Sequence, residues 1–166
     1  MASTKLKTSE GEIVFDEAVQ EEHNMLQRLT YWPKKFDFLL YLHQNRSEIE
    51  AIVSCHLGLK RPEDCQLTQP KDWIHGSFNI CLPVNVSNWS KHSGKRVIVR
   101  FPLPYKTGDL ECPGNADEKL RCEAAAFAWI EENFPDVPIP RLWGFAFSDG
   151  YSVSDGYDLV FSMLIR

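Results

Sequence analysis

Arg100 and Glu123 carry opposite charges at positions where an unpaired charge is costly. Glu123 lies in the run from Asn115 to Phe134. The apolar residues of that run, Ala116, Leu120, Phe127, Ile130 and Phe134, share one face at about 100° per residue, and Glu123 sits at its centre. Arg100 ends the run Val97-Ile98-Val99, which reads as a buried strand. A buried carboxylate without a partner costs on the order of several kcal/mol, so the helix predicts a buried cation elsewhere, and Arg100 is the candidate. If both are buried, deleting Glu123 costs ~3–5 kcal/mol. Ile98, two residues earlier, shares the strand face of Arg100. The other chemistry-bearing residues form no such pattern. His23, His43 and His92 have no partner pattern, and His56 falls on an apolar helical face and reads as core.

The elements that would hold this pair are legible in outline. Asn115 and Glu118 have the spacing of a capping box, Asp117 and Glu118 suit the positive end of the helix dipole, and Pro135 and Pro138 stop the helix. Cys65 to Ile74, Ile80 to Val86 and Arg96 to Phe101 read as three antiparallel strands, with Gly76-Ser77-Phe78-Asn79 as the first turn. After the helix come strands at Leu142 to Phe147 and Asp158 to Ile165, joined as a hairpin by Ser148 to Gly156. Upstream, residues 12–30 suggest an amphipathic helix that Trp32-Pro33 breaks. Lys34 to Gln44 is a second helix, and Ser47 to Leu57 a third that opens with a Ser47–Glu50 capping box and ends at Gly58. The fold expected is α+β: a five-stranded antiparallel sheet with one covering helix, preceded by two or three helices. Its parts are a disordered terminus over 1–11, a helical leader over 12–62 and a sheet lobe over 63–166.

Composition narrows the function classes. The 166 residues include 18 basic and 23 acidic side chains, for a net charge of −5 and no basic run, which argues against a nucleic-acid partner. No apolar run approaches the roughly 20 residues that span a bilayer, and Met1 to Glu10 has no apolar core of the kind a signal peptide needs. The five cysteines, Cys55, Cys65, Cys81, Cys112 and Cys122, are odd in number and contain no C-x-x-C, so they read as reduced thiols of a cytoplasmic protein and not as metal ligands. Asn45, Asn85 and Asn88 open sequons that have no role without secretion.

Three segments, Trp73-Ile74-His75-Gly76-Ser77-Phe78-Asn79, Arg96-Val97-Ile98-Val99-Arg100-Phe101-Pro102 and Glu118-Lys119-Leu120-Arg121-Cys122-Glu123, come in a telling order, and Val137-Pro138-Ile139-Pro140-Arg141-Leu142-Trp143-Gly144 follows them. With this order the region from Asp72 to Arg166 resembles the amino-terminal lobe of the aminoglycoside phosphotransferase-like family, in the protein-kinase-like superfamily, and its fungal branch in particular. The resemblance implies a nucleotide-covering turn at Gly76, Ser77, Phe78 and Asn79, although an ordinary hairpin turn fits those residues equally well. It implies that Arg100 replaces the strand lysine that meets the α- and β-phosphates, that Glu123 orients it, and that Ile98 meets adenine. The turn has one glycine, and the cation is arginine, a rigid planar donor that does not simply replace an ammonium.

In this family a second, helical lobe after a hinge supplies the catalytic aspartate and the magnesium ligands, and the hinge would begin near Met163 to Arg166. The chain is therefore expected to be a truncated, nucleotide-binding lobe that is inactive alone, with no catalytic or metal-binding residue of its own. ATP is its expected ligand, with magnesium only if a catalytic lobe is supplied. Two alternatives stand beside this one: a pseudokinase-like binding or accessory module in a metabolic pathway, and a fragment of an active ATP-dependent small-molecule kinase. In each, an apolar lobe face left uncovered would meet a protein partner.

Overall fold

The computed structural model describes residues 5–8, 11–20, 25–89, 96–109, 111–150, 152–154 and 164–165, and the chain forms two compact units, Met1–Gln44 and Asn45–Arg166.

In the first unit, β1 (Lys5–Thr8) pairs antiparallel with β2 (Gly11–Val14), followed by α1 (Phe15–Gln20) and α2 (Met25–Gln44). Residues 5–8, expected to be disordered, are thus a strand, and the first helix begins at Phe15, where the Val14 N–H donates to Glu17 Oε2 at 3.1 Å. Pro33 does not break the helix. It lies inside α2, removing a single backbone donor while the leucine-, lysine- and phenylalanine-rich sequence on both sides continues the turn. Trp32, Phe36 and Leu40, four residues apart, leave an apolar stripe exposed along it.

The second unit is α+β and antiparallel. α3 (Arg46–His56) precedes β3 (Cys65–Leu67), β4 (Ile74–His75), β5 (Asn79–Val86) and β6 (Arg96–Pro102). After these come α4 (Pro104–Thr107), α5 (Asn115–Asn133), β7 (Gly144–Ala146), β8 (Ser152–Ser154) and β9 (Leu164–Ile165). Among the described residues the sheet has seven strands in the order β3-β5-β6-β9-β7-β8, with β4 also on β5. That is two more than the five expected, and the physical reasons are local. The expected strand over Cys65–Ile74 divides because Pro70 opens a 3-10 turn, Pro70–Asp72; its two ends then pair with two stretches of the same strand, β3 with Val84–Val86 and β4 with Ile80–Cys81. The buried Trp73 fills the detour and its Nε1 donates to the Thr68 carbonyl at 3.2 Å. The segment Ser148–Gly156, expected as a plain loop, contributes β8, which returns along β7 after a turn in which Gly150 has φ +89°. Of the strand expected over Asp158–Ile165, residues 158–163 lie outside the described residues, and Leu164–Ile165 sits between β6 and β7. Of the proposed hinge, Met163 and Arg166 also lie outside them.

Alternation along the central hairpin sorts its two faces. Ile80, Leu82, Val84, Val97 and Val99 are no more than 4 % exposed, and Ile49, Val53 and Leu57 from α3 and the residue after it no more than 5 %. Cys81, Ile98 and Arg100, on the other face, are only half-buried. The helix that covers the apolar face is α3 and not α5. At its first turns Glu50 Oε1 accepts from the Leu67 N–H of β3 at 2.7 Å and from Arg46 Nε at 3.2 Å. At its last turn His56 lies against Gly144 of β7, where an added methyl group would stand 2.5 Å from Nδ1. A helix held on β3 at one end and β7 at the other passes over the strands between them. A capping box and an apolar stripe mark both helices alike in the sequence, so the expectation that α5 is the cover is corrected by the contacts of α3.

Candidate functional site

What fixes Glu123 is the way α5 is clamped at its first two turns. The capping box expected at Asn115 does not form. Asn115 is already helical, Gly114 precedes it at φ +101°, and the loop residue Asp109 takes over: its Oδ1 accepts from the Gly114 N–H at 3.1 Å and the Ala116 N–H at 3.0 Å. Asn115 instead turns back and donates to the Thr107 carbonyl at 3.1 Å. One turn on, Asp117 accepts from the Ser148 N–H at 3.0 Å and from its hydroxyl, tying α5 to the β7–β8 turn. Leu120 packs in a small buried cluster with Phe147, Leu142 and Phe145, and the Arg121 guanidinium lies 4.4 Å from the centre of the Phe147 ring. With Asp117, Leu120 and Arg121 turned toward β7, helical spacing sends Lys119 and Glu123, four residues apart, toward β6 and the start of β5.

There the expected pair forms: Arg100 Nη2 donates to Glu123 Oε1 at 2.7 Å. The pair is not fully buried, since 14 % of the Arg100 side chain and 25 % of that of Glu123 remain exposed. The apolar stripe of α5 is likewise buried only at Leu120 and Ala124, with Ala116, Phe127 and Ile130 half-covered and Phe134 49 % exposed. The carboxylate therefore stands at the rim of the sheet and not in a sealed core.

A third residue joins the pair. Lys119 Nζ donates to the same Oε1 of Glu123 in a very short contact, and to Asn79 Oδ1 at 3.2 Å. Asn79, Lys119, Glu123 and Arg100 thus make one continuous polar chain from the first residue of β5 to the middle of β6. Two cations share one carboxylate oxygen, so these three ionised groups sum to one positive charge. Nothing in the sequence singled out Lys119, because a lysine four residues from a glutamate reads as an ordinary pair on a solvated helix face.

Gly76 to Asn79 make a tight hairpin turn: the Gly76 N–H donates to the Asn79 carbonyl at 2.8 Å, and Ser77 and Phe78 form its tip. The Leu103 N–H donates to the Phe78 carbonyl at 2.8 Å, so the base of the turn belongs to the β5–β6 ladder. Phe78 is 52 % exposed. Only Asn79 of these four enters the polar chain; Gly76, Ser77 and Phe78 shape the turn above it. Ile98 alternates onto the face of Arg100, and Cys81 lies directly across from Arg100 in the β5–β6 register.

Away from this face the titratable residues serve the fold. Burial and then the Asp64 and Glu50 charges push the Cys65 thiol up to about 12, which leaves it an inert core group. Burial lowers the pKa of His56, which is 7 % exposed. None of the five cysteines is in a disulfide, and among the described residues no three metal-ligating side chains converge. No helix of the described residues is long and apolar enough to cross a membrane. Searches against protein-family models, curated proteins and solved structures find no match to this chain.

Proposed function

We propose that residues 63–166 are the nucleotide-binding lobe of an aminoglycoside phosphotransferase-like protein, a five-strand kinase-like lobe elaborated by the extra strands β4 and β8. The observation that carries this reading is the ion pair between Arg100 on a central strand and Glu123 on the helix that follows it, the counterpart of the strand-lysine and helix-glutamate pair of kinases. Three further features support it. A tight turn, Gly76–Asn79, lies at the head of the same hairpin. Ile98 and Arg100 share the half-buried face. The strand β9 pairs with β6 beside Arg100, so chain continuing beyond Arg166 would leave the sheet next to that cation. On this reading ATP lies under the turn with its adenine toward Ile98.

These residues can bind and orient a nucleotide. They include no acid–base group placed for phosphoryl transfer, so the lobe transfers no phosphate unless a second lobe supplies that chemistry together with magnesium ligands. We place the protein in the cytoplasm, in keeping with five cysteines that form no disulfide. Calorimetric titration of the intact chain with ATP tests the reading. Saturable binding that Arg100→Ala weakens is the expected result, and a flat titration of the unsubstituted chain would sink it. Full-length transcript sequencing beyond codon 166 separates one lobe of an active small-molecule kinase from a naturally short binding module.

The second reading is an accessory or pseudokinase-like module that recognises a protein. It is favoured by the far end of α5, where Trp129, Phe134 and Val137 are 57, 49 and 47 % exposed and the first two stack edge to face at 5.2 Å. Co-purification of a partner dependent on Trp129, with no heat of ATP binding, would select it.

A further inference from the structure

Resting on that nucleotide-binding reading, we propose that Lys119, and not Arg100, is the side chain of this lobe that grips a phosphate group. Each cation already has a task. Arg100 is the deeper of the two, with 14 % of its side chain exposed against 26 % for Lys119, and its planar guanidinium is held by Glu123 from the middle of β6. Such a fork is rigid, and turning it toward a ligand would undo the contact that ties α5 to the sheet. Lys119 is a compact ammonium on a flexible four-carbon stem with three N–H donors. Two of those donors point at Glu123 and at Asn79, which leaves the third to aim away from both.

Position favours the lysine as well. Asn79 is the last residue of the tight turn, whereas Arg100 lies opposite Cys81, two residues further along β5. A phosphate sheltered by the turn therefore meets Lys119 before it meets Arg100. Charge completes the case. Glu123 neutralises one cation and not two, so the Arg100–Glu123 pair stays balanced when the ammonium leans toward an anion, and the single positive charge left over is the one the phosphate uses. Arg100 thus becomes a positioning residue, and the phosphate-binding cation is carried by the helix and not by the strand.

The test is calorimetric titration of the intact chain with ADP and, separately, with adenosine. Lys119→Met is expected to weaken ADP binding about tenfold while leaving adenosine within about twofold, and Lys119→Arg, which keeps the charge, to restore most of the ADP affinity. Unchanged ADP binding by Lys119→Met would overturn the assignment while leaving the nucleotide reading intact. An equal loss for both probes would overturn it too, by showing a structural role. Failure of the unsubstituted chain to bind either probe would take the nucleotide reading down with it. A measurement on the unsubstituted chain guards against misfolding of the variant. ADP, but not adenosine, should protect Lys119 from acetylation by an amine-reactive ester read by peptide mass spectrometry, and equal labelling with both would refute the proposal.

Discussion

Replacing Glu123 with alanine removes the carboxylate that Arg100 and Lys119 share, and its cost can be bracketed from the geometry. Two unit charges about 4 Å apart attract by roughly 4 kcal/mol at the effective dielectric near a protein surface, before desolvation is counted. A fully exposed pair nets no more than about 1 kcal/mol, whereas breaking a sealed one costs ~3–5 kcal/mol. Side-chain exposures of 14 % for Arg100 and 25 % for Glu123 place this pair between those limits, and a hydrogen bond to a charged group contributes about 1.5–3 kcal/mol. We expect Glu123→Ala to destabilise the second unit by about 2 kcal/mol. For a urea m-value of about 2 kcal/mol/M, the unfolding midpoint then falls by about 1 M with the slope unchanged. The assay is urea unfolding followed by tryptophan fluorescence, with Lys119→Met added in both backgrounds. Once Glu123 is gone the lysine substitution should be nearly silent, giving a coupling of about 0.5–1 kcal/mol. A midpoint that moves by less than about 0.2 M in Glu123→Ala would show that the pair does not hold the fold, because a half-buried guanidinium would then have lost its carboxylate at no cost.

Three further outcomes follow from contacts outside the site. Burial holds the folded-state pKa of His56 below the usual imidazole value, so the unfolded chain takes up the proton first; this stability is fully present above about pH 6.5 and is lost as pH falls through the folded pKa. Comparing urea midpoints at pH 7.5 and 5.5 should show a decline that His56→Gln flattens, and parallel declines would count against it. Gly144→Ala would put a methyl group 2.5 Å from His56 Nδ1 and 2.8 Å from the Val153 carbonyl oxygen, costing about 1–3 kcal/mol by overpacking. Adding His56→Ala should relieve only part of that in thermal melts, since the Val153 contact is backbone; complete recovery would show that the imidazole alone was in the way. Asp109→Ala should cost about 1 kcal/mol by stripping the acceptor from the first turn of α5, while Asn115→Ala costs less, and the reverse order would mean that the local capping box governs after all.

What the sequence revealed of this fold, and what it concealed, divides along the range of the interactions. Arg100 and Glu123 were legible as partners because each breaks a local apolar pattern, and a charge out of place announces that a second must meet it. How exposed the pair is was not legible, since that depends on how far α5 stands from the sheet. Asn115 carried every local sign of an N-cap, yet Asp109 displaced it by folding back across five residues, a competition that only the loop's path decides. Pro70 did signal the division of the Cys65–Ile74 segment, but Trp73 and Ile74 on its far side restored a strand-like composition. β8 was hidden because Ser152-Val153-Ser154 is too short and polar to stand out from a turn. Lys119 was the largest omission. Its partner Asn79 is 40 residues away, and a contact of that range leaves no mark in helical spacing.

The hydrogen bond from Leu67 to Glu50 bears on how this protein can associate with itself. β3 stands at one border of the sheet, and the Leu67 amide faces away from β5, where another chain could dock its own backbone. The Glu50 carboxylate occupies that amide, so a helix side chain does for the border what a further strand would otherwise do. Strand addition at β3 must first evict this stopper, and that means breaking a contact backed by Arg46. β3 is plugged at this amide, which directs any fibre-like or swapped assembly of this chain to other stretches of the sheet border.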